Sequence, residues 1–237
     1  MALQVLDTGV SDVQNNMDVD SRLLELLDPQ GDPILHFYEW DSPSATFGYF
    51  ADPACFIDLN QAALSGVKLG RRPTGGGITF HIWDCAFSFL MPGKHPAFSL
   101  NALENYRFVN ETVINVVAEI FHMPRPGLAD SKFAGLDPAC QNFCMAKPTR
   151  YDVVYQEKKI AGAAQRRKKQ GYLHQGTISL AAPDMGLLQA LLPNQSVLDA
   201  MAQFTFSPLG SFPSRDLLHE TKGEIRRQLV QKFMEKV

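Results

Sequence analysis

The seven residues from Arg71 to Gly77 contain two adjacent arginines and three successive glycines, with Thr74 between them. Glycine adopts backbone angles that are closed to other residues, so Gly75 and Gly76 permit the close approach of a ligand. The backbone N–H groups of such a loop can cradle a phosphate or a carboxylate, and arginines add charge-assisted hydrogen bonds. A hairpin turn without a ligand is the alternative. The segment is not a P-loop, because no Gly-Lys-Ser/Thr follows it.

The four cysteines offer a second kind of chemistry. Cys140 and Cys144 are separated by three residues, which suits a metal knuckle, but no second pair follows, so we predict no metal site. Cys55 and Cys85 are isolated and are interpreted as core or surface thiols. A free thiol has a pKa of about 8.5, and a nearby ammonium group raises its thiolate fraction at neutral pH. From its type alone, Cys144 is either such a nucleophile or a buried, inert thiol.

Hydrophobic periodicity predicts the elements that must position these residues. The predicted helices cover residues 15–27, a stretch from a capping box at Asn101 and Glu104 to Ile120, and the stretch after Pro213. The predicted strands cover residues 34–38, 78–91 (as two strands or a hairpin), 149–155, a stretch beginning near Lys159, and 172–180. This order predicts one α+β domain over residues 1–237, with helices packed on a largely antiparallel mixed sheet and no separate C-terminal accessory domain.

The composition excludes several classes of protein. Hydrophobic residues make up 45% of the 237 residues, which is enough for a sizeable core. The net charge of −3 argues against a dedicated nucleic-acid-binding protein. No apolar run approaches the roughly 18 residues of a membrane span, and the N-terminus has no signal-peptide pattern. We therefore predict a cytoplasmic protein with reduced thiols and with no nucleic-acid or membrane partner.

The charge is distributed unevenly along the chain. Residues 1–70 carry a net charge of −9, whereas residues 144–180 hold eight basic and two acidic residues, a net charge of +6. Such a basic segment can hold a phosphate or attract an acidic protein. A solvated basic hairpin is the alternative interpretation.

The segment from Arg71 to His81 resembles the arginine–glycine–histidine motif of the lipoate–protein ligase and octanoyltransferase superfamily, which also contains the biotin–protein ligases. Three further segments are similar to motifs of this superfamily and occur in the same order, namely residues 16–27 with Asp20, Tyr38–Trp40 with Phe47 and Gly48, and Lys159–Gly162 with Ala164 and Gln165. The resemblance covers most of residues 15–180. It implies a biotin/lipoate protein ligase-like catalytic domain.

The resemblance is closest to the cysteine-dependent octanoyltransferase branch. As in that branch, Cys144 precedes Pro148 by four residues, and Lys159 follows Cys144 by fifteen residues. The resemblance therefore implies that Cys144 is the catalytic nucleophile and that Lys159, the second catalytic residue, lowers its pKa and contacts the acyl group. It further implies a set of substrate-binding residues, which are Arg71, Arg72, Thr74, Gly75, Gly76, Gly77, His81, Ala161, Gly162 and Gly176. A hydrogen-bonded core histidine is the alternative for His81.

The implied reaction moves an octanoyl or lipoyl group from acyl carrier protein, through a cysteine thioester, to a lysine of a lipoyl domain. The implied acceptors are the glycine-cleavage H protein and the E2 subunit of 2-oxoacid dehydrogenases, and no cofactor is required. We expect residues 166–169 to steer these acidic partners. Two alternatives stay open: an ATP-dependent lipoate–protein ligase that acts through lipoyl-adenylate with magnesium, and an inactive homologue that only binds an acylated carrier. The resemblance implies that the family's longer ligases carry an additional C-terminal domain. We expect 237 residues to leave no room for a full one, which counts against the ligase, although split ligases exist.

Overall fold

The computed structural model describes residues 2–130 and 137–237. The strands within these ranges are β1 (Gln4–Ser11), β2 (Ile34–Trp40), β3 (Ser44–Phe47), β4 (Lys68–Arg71), β5 (Ile78–His81), β6 (Asp84–Pro92), β7 (Gly127–Leu128), β8 (Val153–Tyr155), β9 (Lys158–Lys168) and β10 (Gly171–Ser179). The α-helices are α1 (Val13–Leu26), α2 (Leu59–Leu64), α3 (Ala102–Ile120), α4 (Met185–Leu191), α5 (Gln195–Phe204) and α6 (Arg215–Met234). None of these helices is long and apolar enough to cross a lipid bilayer.

The strands form one large and one small sheet. The large sheet has seven strands in the order β1-β2-β6-β10-β9-β8-β7, and its neighbours are antiparallel except for the parallel pair β1 and β2. The small sheet has the order β4-β3-β5, in which β3 is parallel to β4 and antiparallel to β5. The predicted α+β class with a largely antiparallel mixed sheet is confirmed.

The main hydrophobic core lies between the large sheet and the two longest helices. All nine residues of β6 are buried, as expected for a strand in the middle of a covered sheet. Helices α3 and α6 pack on each other, and both contribute to the same core as β6, β9 and β10. Phe89 of β6 stacks on Phe233 of α6 with a centroid distance of 4.5 Å. This helical layer supports the strands that carry the predicted site residues.

Helix α1 connects the two sheets, because it contacts β6 and β10 of the large sheet and β3 and β4 of the small one. Its N-cap is Asp12, whose carboxylate accepts from the Gln14 N–H at 2.9 Å. The buried face of α1 carries Met17 but also the polar residues Asn16 and Asp20. Buried polar groups require hydrogen-bond partners. The partners of Asp20 belong to the candidate site described below.

Helices α1, α3 and α6 and strands β2, β5, β6, β8, β9 and β10 correspond to the predicted elements. The capping box is only half formed: Asn101 accepts from the Leu103 N–H, but its own N–H donates to the Ser99 hydroxyl. The predicted strand over residues 149–155 is wrong in its first half, because the chain turns there and Tyr151 has a φ of +69°. Strands β1, β3, β4 and β7 and helices α2, α4 and α5 were not predicted from the sequence.

Candidate active site

A cavity of about 820 Å³ lies where the two sheets and α1 meet. Its walls come from α1, α3, β2, β3, β5, β9 and β10 and from the loops around residues 72–77 and 141–149. The cavity brings together nine of the twelve predicted site residues, which are Arg72, Gly75, Gly76, Gly77, His81, Cys144, Lys159, Gly162 and Gly176. Residues from distant parts of the sequence therefore share one concave site.

Arg72 holds the glycine loop from its inner side. This arginine is only 5% exposed, and its Nε and Nη2 donate to the Gly75 carbonyl oxygen at 3.2 and 2.9 Å. Its Nη1 donates to both the carbonyl and the hydroxyl oxygen of Thr46, each at 3.2 Å. At Gly77 a Cβ atom would overlap with the backbone of Asn142. The loop thus depends on glycine because it packs closely against the segment that precedes Cys144.

Cys144 is placed beside this loop by its backbone. Its N–H donates to the Ile78 carbonyl oxygen at 2.9 Å, just after the glycines. The half-buried Sγ atom lies 3.9 Å from Arg72 Nη2. A guanidinium at this distance stabilises a thiolate more than a thiol.

Lys159 reaches the same point from β9. Its Nζ lies 2.8 Å from Asp152 Oδ2 and donates to the Cys144 carbonyl oxygen at 3.0 Å. The two side chains of this ion pair are only 11% and 4% exposed. Asp152 also accepts from the N–H and the hydroxyl of Thr149 at 2.7 and 2.8 Å, so the buried carboxylate is well satisfied. A Cβ on Gly162 would overlap with the end of the Lys159 side chain, which explains why glycine is needed there.

The electrostatic balance at Cys144 favours the thiolate. Burial on its own raises the pKa of a thiol. The Arg72 guanidinium, followed by the Lys159 ammonium and a hydrogen bond from Thr79, outweighs burial and lowers the pKa of Cys144. The negative charge of Asp152 acts in the opposite direction. The sequence predicted this effect for Lys159 alone and missed the contribution of Arg72.

The other cysteines differ from Cys144 in their surroundings. Burial raises the pKa of Cys85 to about 12 and also raises the pKa of Cys140, which donates to the Ser196 carbonyl oxygen. Cys55 is exposed and lies outside the cavity. In the part of the chain that the structure describes, no group of three or more His, Cys, Asp or Glu side chains is arranged to hold a metal ion.

His81 links the cavity wall to a buried carboxylate. Its Nε2 is 2.9 Å from Thr46 Oγ1, and its Nδ1 is 2.6 Å from Asp84 Oδ2. Its ring also lies 4.3 Å, centroid to centroid, from that of Trp40. His81 therefore lines the cavity, and both of its ring nitrogens have hydrogen-bonding partners.

A polar network that the sequence did not predict anchors the glycine loop. Thr74, which does not line the cavity, donates to Gln175 Oε1 at 2.7 Å. Gln175 Nε2 in turn donates to Asp20 Oδ2 at 2.6 Å. Asp20 also accepts from the Ser88 hydroxyl at 2.6 Å and pairs with His36 Nδ1 at 2.8 Å. One feature of the sequence pointed to this network, namely Asp20 on the apolar face of the predicted helix over residues 15–27.

Arg71 and Ala161 also lie outside the cavity walls. Arg71 is exposed, and its Nη1 donates to the carbonyl oxygens of Tyr49 and Ala51 at 2.6 and 3.2 Å. Its guanidinium lies 4.7 Å from the centroid of the Phe47 ring. Arg71 therefore supports the outer side of the loop, whereas Ala161 is buried in the main core.

The family model for the lipoyl protein ligase A/B catalytic domain matches residues 12–206 of this chain. The match includes every residue that lines the cavity. The chain belongs to this family. The cavity, the glycine loop and the pair of Cys144 and Lys159 all lie within the residues that match this catalytic domain.

Several relatives of this catalytic domain are named octanoyltransferase LipM. The protein from Lysinibacillus sphaericus is 30% identical over 184 residues, which are 74% of this chain and 64% of that protein. The proteins from Staphylococcus aureus and Geobacillus kaustophilus are both 29% identical, and they cover 73% and 83% of this chain. The chain spans 64% of the length of the Staphylococcus aureus protein and 72% of the Geobacillus kaustophilus protein.

Solved structures of lipoate–protein ligases have the same fold. A putative lipoate protein ligase from T. acidophilum with bound lipoic acid has a TM-score of 0.69 and 26% identity, covering 99% of this chain and 86% of that one. A lipoate-protein ligase A bound with ATP has a TM-score of 0.72 and 24% identity, and the match covers 99% of this chain and 85% of that one. The second similarity shows the fold alone.

The basic run 166–169 of this catalytic domain lies at the end of β9. Arg166 donates to the Pro73 carbonyl oxygen at 2.8 Å, next to the glycine loop, and Lys168 pairs with Glu25 at 3.1 Å. Arg167 and Lys169 are exposed, and neither forms an ion pair with a described residue. Arg167 nevertheless donates to the Leu100 carbonyl oxygen at 2.8 Å, so three of the four cations contact other parts of the fold.

Proposed function

We propose that this chain is an acyltransferase of protein lipoylation, which moves an octanoyl or lipoyl group from acyl carrier protein to a lysine of a lipoyl domain through a thioester on Cys144. The observation that carries the proposal is the Cys144 thiol, whose pKa is lowered, in a cavity between Arg72 and Lys159. The relatives named octanoyltransferase LipM support the choice of reaction. The cavity volume of about 820 Å³ lies in the range of small-molecule sites, so an acyl chain and part of its carrier arm fit.

The proposed reaction has two steps that balance without an external energy source. The Cys144 thiolate attacks the acyl carbon of the donor thioester, a new carbon–sulfur bond forms, and the carrier leaves as its thiolate and takes a proton. A neutral lysine amine then attacks the acyl carbon on Cys144. The carbon–nitrogen bond forms, the carbon–sulfur bond breaks, and the proton lost by the amine returns to the Cys144 sulfur. No ATP is consumed, because one thioester replaces another.

In the proposed mechanism the two cations have separate tasks. Arg72 stabilises the Cys144 thiolate before the first step and again when it leaves in the second. Lys159, fixed by Asp152, directs its remaining hydrogen-bonding capacity towards the acyl group on Cys144. The glycine loop presents backbone to the cavity without side chains that would obstruct the acyl chain.

The partners follow from the same reaction. The donor is acyl carrier protein, and the acceptors are lipoyl domains such as the glycine-cleavage H protein and the E2 subunits of 2-oxoacid dehydrogenases. A structurally similar bi-partite lipoate protein ligase from Thermoplasma acidophilum, with a TM-score of 0.71, is described together with its E2 lipoyl domain. These proteins meet in the cytoplasm, which stays the predicted location.

The deciding experiment is intact-protein mass spectrometry after mixing the enzyme with octanoyl-acyl carrier protein in the absence of ATP. We expect a mass increase of one octanoyl group, on a bond that hydroxylamine cleaves. The Cys144→Ser variant should lose the adduct, and Cys140→Ser, a matched control in the same segment, should keep it. Normal turnover of Cys144→Ser with ATP and magnesium would favour the ligase alternative. Binding of the carrier without any transfer would favour the inactive homologue.

A further inference from the structure

A second, narrower pocket of about 30 Å³ adjoins the main cavity. The two share five wall residues, which are Thr79, Met145, Lys159, Gly162 and Thr177. The remaining walls of the second pocket are mostly apolar. They come from β5, the turn into the start of β6, β9, the end of β10, the chain after β10, and Thr205. Residues 72–77 do not line it. The second pocket thus reaches Lys159 without involving the glycine loop.

One carboxylate, that of Asp84, lines the second pocket. Asp84 is only 7% exposed, and its Oδ2 accepts from His81 Nδ1 at 2.6 Å and from the Thr177 hydroxyl at 2.5 Å. Its other oxygen, Oδ1, is buried and accepts no hydrogen bond from the described residues. Burial opposes ionisation, but His81 and Thr177 outweigh it and hold the pKa of Asp84 below its usual range. Asp84 is therefore a charged, buried carboxylate with one oxygen able to accept a donor.

The chemistry of this pocket fits one kind of group. Narrow apolar walls suit an unbranched aliphatic stem, and a carboxylate oxygen without a donor suits a cationic tip with several N–H groups. A lysine side chain combines these two properties. We propose that the second pocket is the binding site of the acceptor lysine, with its ammonium held by Asp84 Oδ1 on its way to the acyl group on Cys144; this rests on the proposed function, which supplies that acyl group.

The rival occupant is the methyl end of the acyl chain. An alkyl tail would leave Asp84 Oδ1 desolvated and without a donor, which is unfavourable, whereas an ammonium satisfies it. The position of Lys159 at the junction also fits an amine that must react. Asp84 favours the charged amine, so the lysine releases its proton to solvent as it leaves this carboxylate. Beside the Lys159 ammonium the neutral form is favoured, and only the neutral amine attacks the thioester. With the lysine in the second pocket, the acyl chain can stay in the main cavity.

The test measures the two steps separately in single-turnover experiments with the full chain. Acylation of Cys144 by octanoyl-acyl carrier protein and its deacylation by a lipoyl domain are each followed by intact mass. The Ser179→Leu variant fills the second pocket from its half-buried wall, and Ser179→Ala is the matched control. The Asp84→Asn variant places an N–H donor or a neutral oxygen where the carboxylate was.

We expect Asp84→Asn to slow deacylation about tenfold or more, the effect of losing a hydrogen bond to a charged group. We expect Ser179→Leu to slow deacylation because the larger side chain occupies the space of the lysine. Acylation by Ser179→Leu should stay within about twofold of the wild type, and Ser179→Ala should behave as the wild type in both steps. Unchanged deacylation in Ser179→Leu would place the acceptor in the main cavity and overturn the inference. Slower acylation of this variant by octanoyl but not by butanoyl donors would assign the pocket to the acyl tail, which also overturns it. If the wild type forms no octanoyl-Cys144, the proposed function fails first and this inference fails with it.

Discussion

Arg72 offers the sharpest test of the thiolate argument, because the sequence pointed to Lys159 for the same role. We predict that Arg72→Gln raises the pKa of Cys144 more than Lys159→Gln does. Arg72 Nη2 lies 3.9 Å from the sulfur, and no carboxylate among the described residues pairs with this guanidinium. The Lys159 ammonium is 2.8 Å from Asp152, which cancels much of its field at the sulfur.

The size of the effect follows from this distance. Two unit charges about 4 Å apart interact by about 4 kcal/mol at an effective dielectric constant near 20. Water in the cavity screens Cys144, which is half-buried, so we expect a smaller value. Loss of about 1.4 to 2.8 kcal/mol corresponds to a rise of about one to two pKa units. At a pH below the thiol pKa, the fraction of thiolate would then fall by about ten- to a hundredfold.

The assay is the rate of alkylation of Cys144 against pH, followed by intact mass. Because Arg72 lowers the pKa in the wild type, the midpoint of this curve should move to higher pH in Arg72→Gln. Arg71→Gln is the matched control, since Arg71 is the adjacent arginine but donates to carbonyl oxygens outside the cavity. Arg72→Lys keeps the charge without the planar fork and should give an intermediate midpoint. An identical midpoint in the wild type and a folded Arg72→Gln would refute the reasoning.

Three further predictions concern residues around the thiol. Gly162→Ala should displace the end of Lys159 and reduce acyl transfer by about tenfold or more, with an unchanged far-ultraviolet circular dichroism spectrum. Asp152→Asn should speed alkylation of the thiol at pH 7 by a few fold, because it removes a negative charge that raises the thiol pKa, and yet slow acyl transfer, because Lys159 loses its partner. Replacing the exposed Arg167 and Lys169 by Gln should raise the KM for acyl carrier protein and flatten its salt dependence, and an unchanged salt slope would place docking elsewhere.

The parts of the fold that the sequence predicted are those with a strong local pattern. Helices α1, α3 and α6 have regular apolar faces, and β6 and β10 are long β-prone runs. Several of the missed elements are short, although α5 has ten residues and β1 has eight. Strands β3 and β4 have four residues each, and β3 is buried throughout, so no alternation marks it. Their pairing in the small sheet is a tertiary contact, which local propensity does not contain.

The site shows the same limit at the level of single side chains. Motif spacing placed Cys144 and Lys159 in one cavity, but it gave no reason for Asp152 to neutralise the lysine or for Arg72 to approach the sulfur. These contacts depend on how β9 packs beside the glycine loop and on the turn at Tyr151. The sequence also treated the two arginines alike. The structure separates them, because Arg72 is buried against the loop and Arg71 is exposed on its outer side.

The position of Arg72 has different consequences for the two steps of the proposed reaction. A lower thiol pKa increases the thiolate fraction but makes each thiolate a weaker nucleophile, so the gain in acylation is only partial. The same stabilisation makes Cys144 a better leaving group when the lysine amine attacks, and that gain is not offset. At a pH high enough to ionise the thiol in both proteins, Arg72→Gln should therefore acylate almost normally but deacylate slowly. The octanoyl-enzyme would accumulate, and its steady-state level by intact mass would report this directly. Equal slowing of both steps at high pH would instead mean that Arg72 acts through the shape of the glycine loop, which it holds at Gly75.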